Sequence, residues 1–409
     1  MNKQFSNSYQ FIAQLKNVEL QIRQNQLQEA AQQLNQMAKT AANDPRLYIL
    51  GARLAEAAHN PEGVLLAARK AHTLAPDWPT ASLYLAEVLA SRGEADEALA
   101  QATLALQQGI SPTSRATNAG ELLAKAAMIA QLFERHDQAL QWLRLAEQLH
   151  PNDASIQYYM GQALLATGEA AQAAEIFGTL NLVQPDNTSY AYYLAVARGE
   201  TPATQPAEVV ADLFNRSIVK FDATWAQQAQ YTLPADVAQL IKQWHPDREA
   251  HLLDLGCGTG LLGASLGKQD GAVVGVDVSL RMIDQATKHG VYDKFHQVNL
   301  LDALQDTPEA LYHVITALDV LGYVGQLDAF VPNAHRILLP EGRLVFSFET
   351  GAGDNTADFS LVSQRYAHQT HYVQRLLEEA GFTETTLEAR VLRVADGQDI
   401  EGYLVTARK

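Results

Sequence analysis

The stretch His251-Leu-Leu-Asp-Leu-Gly-Cys-Gly-Thr-Gly260, continued by Leu261, Leu262 and Gly263, decides how the second half of the chain folds. Apolar residues at 252, 253 and 255 run straight into glycines at 256, 258 and 260. That is how a buried parallel strand ends in a turn where backbone can approach a small ligand. A second apolar run, Val273-Val-Gly-Val-Asp277, ends in a carboxylate. At the end of the second strand of such a unit, a carboxylate can accept hydrogen bonds from both hydroxyls of a ribose. Two strand ends therefore face one nucleoside.

The same residues fit a rival pattern, because Gly258-Thr-Gly-Leu-Leu-Gly263 matches the dinucleotide fingerprint G-x-G-x-x-G. Asp254, two residues before the first glycine, favours another reading. D-x-G-x-G-x-G resembles the first motif of class I S-adenosylmethionine-dependent methyltransferases. That resemblance implies S-adenosylmethionine as cofactor, with Asp254 helping to position its methionine end and Gly256, Cys257, Gly258 and Gly260 forming the loop beneath it. Asp277 lies 17 residues past Gly260, short of the roughly 20 of a nicotinamide site, which disfavours a nicotinamide-dependent oxidoreductase. A tight strand-to-helix turn in a Rossmann-like core, holding no ligand, is the bland alternative.

At 409 residues the chain exceeds what one core usually serves, so two domains are expected. Its 30 Lys and Arg against 46 Asp and Glu give a net charge of −16, which argues against nonspecific nucleic-acid binding because little would neutralise a row of phosphates. The single cysteine, Cys257, forms no internal disulfide, and within the glycine loop it reads as a small residue that fits. Met1–Gln10 lacks a charged start followed by an apolar run, and no segment approaches eighteen uninterrupted apolar residues. The expectation is a soluble cytoplasmic protein with no membrane partner. No His/Cys/Asp spacing suggests a metal, and no G-x-S-x-G or Cys-His pairing suggests a hydrolase.

Residues 1–200 are rich in Ala, Leu and Gln, with apolar residues at three- and four-residue spacing, and read as helices throughout. They also repeat. Gly161, Leu164, Ala173, Phe177, Leu180 and Pro185 recur as Ala127, Ala130, Ala139, Leu143, Ala146 and Pro151, and as Ala86, Leu89, Ala98, Ala102, Ala105 and Ile110, with starts 34 and 41 residues apart. This resembles the tetratricopeptide repeat, a 34-residue helix-turn-helix unit. Gly93 and Gly168 fall at the turn within the repeat, a looser copy with Gly51, Leu54 and Pro76 spans Arg46–Asp77, and a degenerate one lies around Val18–Asn43. The seven extra residues near Gly109–Asn118 read as a longer loop between repeats. The resemblance implies a solenoid whose concave face takes a protein or peptide partner. Support or dimerisation is the alternative. Tyr158, Tyr159, Tyr190, Tyr192 and Tyr193 read as packing rather than recognition.

Thr201-Pro-Ala-Thr-Gln-Pro206 is the expected linker, since two prolines among small polar residues cannot continue a helix. Residues 207–409 are then the cofactor domain. Leu213-Phe214, Lys220-Phe-Asp222 and Tyr231-Thr-Leu-Pro234 resemble the entrance of the methyltransferases that carry tetratricopeptide repeats, although Asn215 replaces an Asp and Thr224-Trp225-Ala226 extends the spacing. The segment Tyr312–Tyr323 and the C-terminal segments Arg365–His368, Tyr372–Phe382 and Gly402–Arg408 continue the resemblance. It implies a seven-stranded, mostly parallel sheet behind an all-α solenoid. It further implies Val278 beside Asp277, Asn299 on the adenine amino group with the Leu300 N–H on the ring, Ala317 and Leu318 beneath the sulfonium, and Asp319 and Tyr323 facing the acceptor. Asp302 rivals Asn299. Phe214, Phe221 and Tyr231 are expected to close over the cofactor as a lid.

Methyl transfer from a sulfonium is an in-line displacement, so the residues must align donor and acceptor and, for some acceptors, take one proton. His368 is the first candidate base, following a polar loop Gly351–Asp358 that reads as a lid, with Glu349 and Asp319 as alternatives. The acceptor is not legible, and a scaffold that binds the cofactor without turnover is the remaining reading. The absence of an Asn/Asp-Pro-Pro-Tyr/Phe motif after the fourth strand, where Leu318-Asp-Val-Leu stands, leans towards oxygen or small-molecule acceptors.

Overall fold

The computed structural model describes residues 9–58, 60–109, 119–221, 231–351, 357–360, 363–395 and 398–409. The chain divides into two compact units, Met1–Leu180 and Asn181–Lys409.

The first unit is built from helices α1 (Tyr9–Arg23), α2 (Leu27–Ala41), α3 (Pro45–Ala57), α4 (Pro61–Leu74), α5 (Pro79–Ser91), α6 (Ala95–Gly109), α7 (Ala119–Leu132), α8 (His136–Leu149), α9 (Ala154–Ala166) and α10 (Ala170–Val183). Their starts follow local chemistry. Pro45, Pro61 and Pro79 open α3, α4 and α5, where a missing N–H costs nothing, while Asp44, Asn60 and Asp153 cap α3, α4 and α9 with side-chain oxygens. The first helix of each pair touches the first helix of the next, α1 on α3, α3 on α5, α5 on α7 and α7 on α9.

The repeat positions are the buried ones. Ala86, Leu89, Ala98, Ala102 and Ala105 are fully enclosed, as are Ala127, Ala130, Ala139, Leu143 and Ala146. Gly161 is needed for close approach, since a Cβ there would stand 2.6 Å from the Phe177 ring. The copy expected at Gly51 starts one residue later. Nothing lies within 4 Å of a Cβ built on Gly51, whereas Ala52, Ala68 and Ala71 are fully buried, so Ala52 is the packing position. Val18, Ala30, Leu34 and Met37 fill the same places one repeat earlier. Seven residues past the start the turn is left-handed at Asn25, Gly93, Glu134 and Gly168; in the copy starting at Ala52 that position, 59, lies outside the described residues. The longer loop expected near Gly109–Asn118 falls on residues 110–118, outside the described residues.

The second unit opens with α11 (Thr188–Ala197), capped by Asn187, and α12 (Ala207–Phe221). Tyr190, Tyr192 and Tyr193 are buried, and the Tyr192 ring meets Phe359 edge-on at 6.4 Å. Then come α13 (Leu233–Trp244), β1 (Leu252–Leu255), α14 (Leu261–Leu266), β2 (Val273–Asp277), α15 (Leu280–Thr287), β3 (Lys294–Gln297), α16 (Leu300–Asp306) and β4 (Tyr312–Ala317). A 3-10 turn at Leu321–Tyr323 leads to α17 (Phe330–Ile337), β5 (Leu338–Glu349), β6 (Ala357–Ser360), β7 (Arg365–His368), α18 (Thr370–Ala380), β8 (Thr383–Ala395) and β9 (Gln398–Arg408). Seven strands form one sheet in the order β3-β2-β1-β4-β5-β9-β8. The first five run parallel, and β9 lies antiparallel between β5 and β8. Strand order reverses between β1 and β4, the place where a doubly wound sheet opens a crevice at its carboxyl edge. Helix-facing residues of both sheet faces, among them Ile315, Phe346 and Phe348 on one side and Leu252, Val314 and Val345 on the other, form two apolar cores.

Strands β6 and β7 pair as a separate hairpin, so Arg365–His368 is a strand, and Ala357 and Asp358 at the end of the expected lid belong to β6. Residues 352–356 of the expected lid lie outside the described residues. The segment read as a linker is bonded within this unit: the Tyr366 hydroxyl donates to the Pro202 carbonyl at 2.9 Å, and Thr204 Oγ1 and the Gln205 N–H both donate to the Tyr323 carbonyl at 3.4 Å.

Candidate cofactor and acceptor site

β1 delivers the glycine loop to the crevice. Gly256, Gly258 and Gly260 all adopt left-handed backbone, with φ of 66°, 53° and 82°. Two of them are closed in by protein, since a Cβ at Gly256 would stand 2.4 Å from Val320 and one at Gly260 2.9 Å from Ala286. At Gly258 only the Gly256 carbonyl comes within 4.0 Å, so this glycine turns its bare face to open space. Cys257 is buried, its N–H donates to the Val276 carbonyl at 3.0 Å, and burial pushes its thiol well up. It is a small packing residue and not a nucleophile.

Asp277, at the end of β2, holds the loop. Its Oδ2 accepts from the Gly258 N–H at 2.9 Å and its Oδ1 from the Ser279 N–H at 2.8 Å. Burial raises its pKa and those backbone bonds oppose the rise. Asp254 lies beneath. Its Oδ1 accepts from Thr316 Oγ1 at 2.8 Å and its Oδ2 from the Tyr292 hydroxyl at 2.6 Å, and burial lifts its pKa to about 6 against these two bonds. The Tyr292 oxygen in turn accepts from the Gly263 N–H at 3.3 Å. Sequence reading missed Tyr292. The available signal was Gly263, where a Cβ would stand 2.4 Å from the tyrosine ring.

A cleft opens beside the loop. Of the residues expected at the cofactor, Gly256, Asp277, Val278, Asn299 and Leu300 line it; Gln205, Val210, Phe214 and Val320 line it too. Asn299 caps α16, its Oδ1 accepting from the Leu301 N–H at 2.8 Å, while Asp302 is exposed in the first turn of that helix. Ala317 is fully buried in β4 as part of the core below. Apolar walls, a carboxylate with further acceptor positions and an open glycine are groups that could hold S-adenosylmethionine.

Beside the cleft the chain leaves β4 through Asp319, a non-glycine residue with φ of 53° whose N–H donates to Ser347 Oγ at 2.8 Å. Its carboxylate joins a buried four-residue network. Arg365 donates from Nη2 to Asp319 Oδ1 at 2.6 Å and from Nε to Glu349 Oε1 at 2.5 Å; Arg393 donates from Nη1 to the same Asp319 oxygen at 2.7 Å and pairs through Nη2 with Glu349 Oε1 at 2.7 Å. Burial alone would raise Glu349, but Arg365 and Arg393 outweigh it and hold the carboxyl below its usual range. The Arg365 guanidinium also sits 4.5 Å from the Tyr323 ring centroid.

This geometry corrects the expected bases. Glu349 and Asp319 are neutralised by two arginines and spent on them. His368 is fully buried, its Nε2 stands 3.2 Å from the Leu321 carbonyl, and burial lowers its pKa. This enclosed imidazole ties the end of β7 to the 3-10 turn through the Leu321 carbonyl and is not among the residues that line the cleft. Tyr231 packs half-buried on the α13 core, and burial together with the Asp319 charge pushes its hydroxyl far up. Phe214 meets the Tyr323 ring edge-on at 5.2 Å and lines the cleft, whereas the Phe221 side chain lies outside the described residues.

Residues 253–344 match the methyltransferase domain family and residues 132–197 the tetratricopeptide repeat family. The chain carries a methyltransferase domain behind tetratricopeptide repeats. Ubiquinone biosynthesis O-methyltransferase of Pseudomonas syringae pv. tomato is 27% identical over 142 residues, covering 32% of this chain and 61% of that protein. Its namesake from Coxiella burnetii is 35% identical over 102 residues, covering 24% of this chain and 42% of that protein. The chain thus spans 61% or less of the length of these relatives. Magnesium protoporphyrin IX methyltransferase from Synechocystis PCC 6803 aligns with 50% of this chain and 99% of its own at 16% identity, with a TM-score of 0.38. The methyltransferase-domain match contains the glycine loop, Asp277 and the exit of β4, and it stops before Glu349, Arg365, His368 and Arg393. Among the described residues no group of three His, Cys, Asp or Glu is placed to hold a metal, and no helix is long and apolar enough to cross a membrane.

Proposed function

We propose that the protein transfers a methyl group from S-adenosylmethionine to an oxygen atom of a small-molecule acceptor. The observation that carries this is the cleft itself, lined by Asp277, which the Gly258 and Ser279 N–H groups hold while it keeps acceptor positions that a ribose would use. S-adenosylmethionine supplies an electrophilic methyl on sulfur. The chain's own part is alignment: Gly258 admits the cofactor's close approach, Val278, Leu300 and Val320 wall the nucleoside, and Phe214 with Tyr323 excludes water from the side. Oxygen as the accepting atom is supported by the names of the relatives, both O-methyltransferases. It is also supported by the state of Glu349, Asp319 and His368, none of which is available as a base. An acceptor oxygen that arrives ionised, as a phenolate or carboxylate does, needs none. Mass spectrometry of small molecules from a strain lacking the protein tests this. A species lighter by one methyl group, converted by the purified protein with S-adenosylmethionine, supports it; methylation of polypeptide alone refutes it.

The repeats are assigned to partner or acceptor presentation. The support is their exposed face, where first helices carry a charge ladder linking Arg53 to Glu19 at 2.7 Å and Lys125 to Glu87 at 3.6 Å. If the repeats present the acceptor, deleting residues 1–180 raises the KM for acceptor and leaves cofactor affinity unchanged. Equal KM values would leave the repeats without that role.

A further inference from the structure

Gln205 belongs to the segment that its composition marks as a linker, yet it is only 2% exposed and lines the cofactor cleft. Its backbone N–H donates to the Tyr323 carbonyl at 3.4 Å, and its side-chain Nε2 donates to the Gln364 carbonyl. That second bond fixes which way the amide faces, because the flipped amide would set oxygen against oxygen. The Oε1 is left buried with no hydrogen-bond partner. Buried acceptors are almost always satisfied, and an unmet one in a wall of a binding cleft is an acceptor waiting for a ligand's donor.

We infer that Gln205 reads the nucleobase of the bound cofactor, its Oε1 accepting a hydrogen bond from the exocyclic amino group of adenine. This rests on the cleft taking S-adenosylmethionine. The other polar groups of the cleft are already assigned by their geometry. Asp277, tied to Gly258 and Ser279, is the carboxylate placed to take ribose hydroxyls, and Asn299 Oδ1 already accepts from the Leu301 N–H, which leaves the wholly unmet Gln205 oxygen as the stronger acceptor for an amino group. Position points the same way. Gln205 lines the same cleft as Val298, Leu300 and Val324, apolar side chains against which a flat ring would lie. The Gly256–Gly260 loop is then left for the amino-acid part. The donor a nucleobase offers there is its amino group.

The test is isothermal titration of the full chain with S-adenosylhomocysteine and with S-inosylhomocysteine, in which a ring carbonyl replaces the amino group. The unaltered protein should prefer the adenine form about ten-fold or more, and Gln205→Met, similar in volume and without the acceptor, should bring the two within about two-fold. Gln205→Asn, which keeps the amide and loses reach, is read the same way if Gln205→Met does not fold. Discrimination that survives in these variants, or is absent from the unaltered protein, overturns the inference. If the unaltered protein binds neither compound, the cofactor reading itself fails and the assignment of Gln205 falls with it.

Discussion

Replacing Arg365 by Met tests whether the buried four-residue network organises the acceptor side. Arg365 bonds Glu349 at 2.5 Å and Asp319 at 2.6 Å, and Arg393 bonds the same two carboxylates at 2.7 Å each. With both arginines present the network is neutral. Without Arg365, two carboxylates share one guanidinium in a site where every member is mostly buried, and one negative charge is left uncompensated. Removal of one partner from such a buried arrangement costs about 3–5 kcal/mol. Restoring neutrality through Arg365→Met with Glu349→Gln leaves the Arg393–Asp319 pair intact. The double variant should therefore recover about 1–3 kcal/mol relative to the sum of the single changes. Urea unfolding read by hydrogen exchange on peptides from β4 and β5 isolates this unit from the repeats. The network reading fails if Arg365→Met costs less than about 1 kcal/mol, or if the two changes add.

Asp277→Ala removes an acceptor of two ribose hydroxyls, and calorimetric affinity for S-adenosylhomocysteine should fall at least about ten-fold; unchanged affinity would remove the ribose from Asp277. Asp254, its pKa lifted to about 6 from 3.8, keeps in the folded state a proton that the unfolded chain releases, so its contribution to stability declines as pH rises from about 4 to about 6, by up to about 3 kcal/mol. Asp254→Asn should flatten that slope in denaturation midpoints taken across this window, and parallel slopes would refute the assignment. A fragment of residues 181–409 should bind cofactor as the full chain does, whereas residues 207–409, lacking Gln205 and the Pro202 carbonyl that Tyr366 grips, should bind at least about five-fold more weakly. Equal binding by the two fragments would show that the segment before 207 is dispensable.

The glycine loop, Asp277 and the doubly wound sheet were legible because each is written in adjacent residues, where alternation and left-handed turns leave a local signature. The repeats were legible for the same reason, and the misplaced start at Gly51 shows the limit. Gly51 and Ala52 are both small, and only packing tells which one faces its neighbour. The network was not legible, because Arg365 and Arg393 reach Asp319 across 46 and 74 residues from strands that join late in the chain. Spacing carries nothing about such meetings. Gln205 was hidden differently: prolines and small polar residues announce irregular backbone and are silent on where that backbone lies.

A stack whose members speak only to their neighbours is as cooperative as its poorest joint. In three described copies the left-handed turn falls on Asn25, Gly93 or Gly168, residues at ease there, but in the copy starting at Ala127 it falls on Glu134 with φ of 61°, where a side chain costs about 1 kcal/mol. The same copy follows the one break in the 34-residue spacing. Relieving that turn with Glu134→Gly should therefore stabilise the pair α7 and α8 and, through its neighbours, the array on both sides of it.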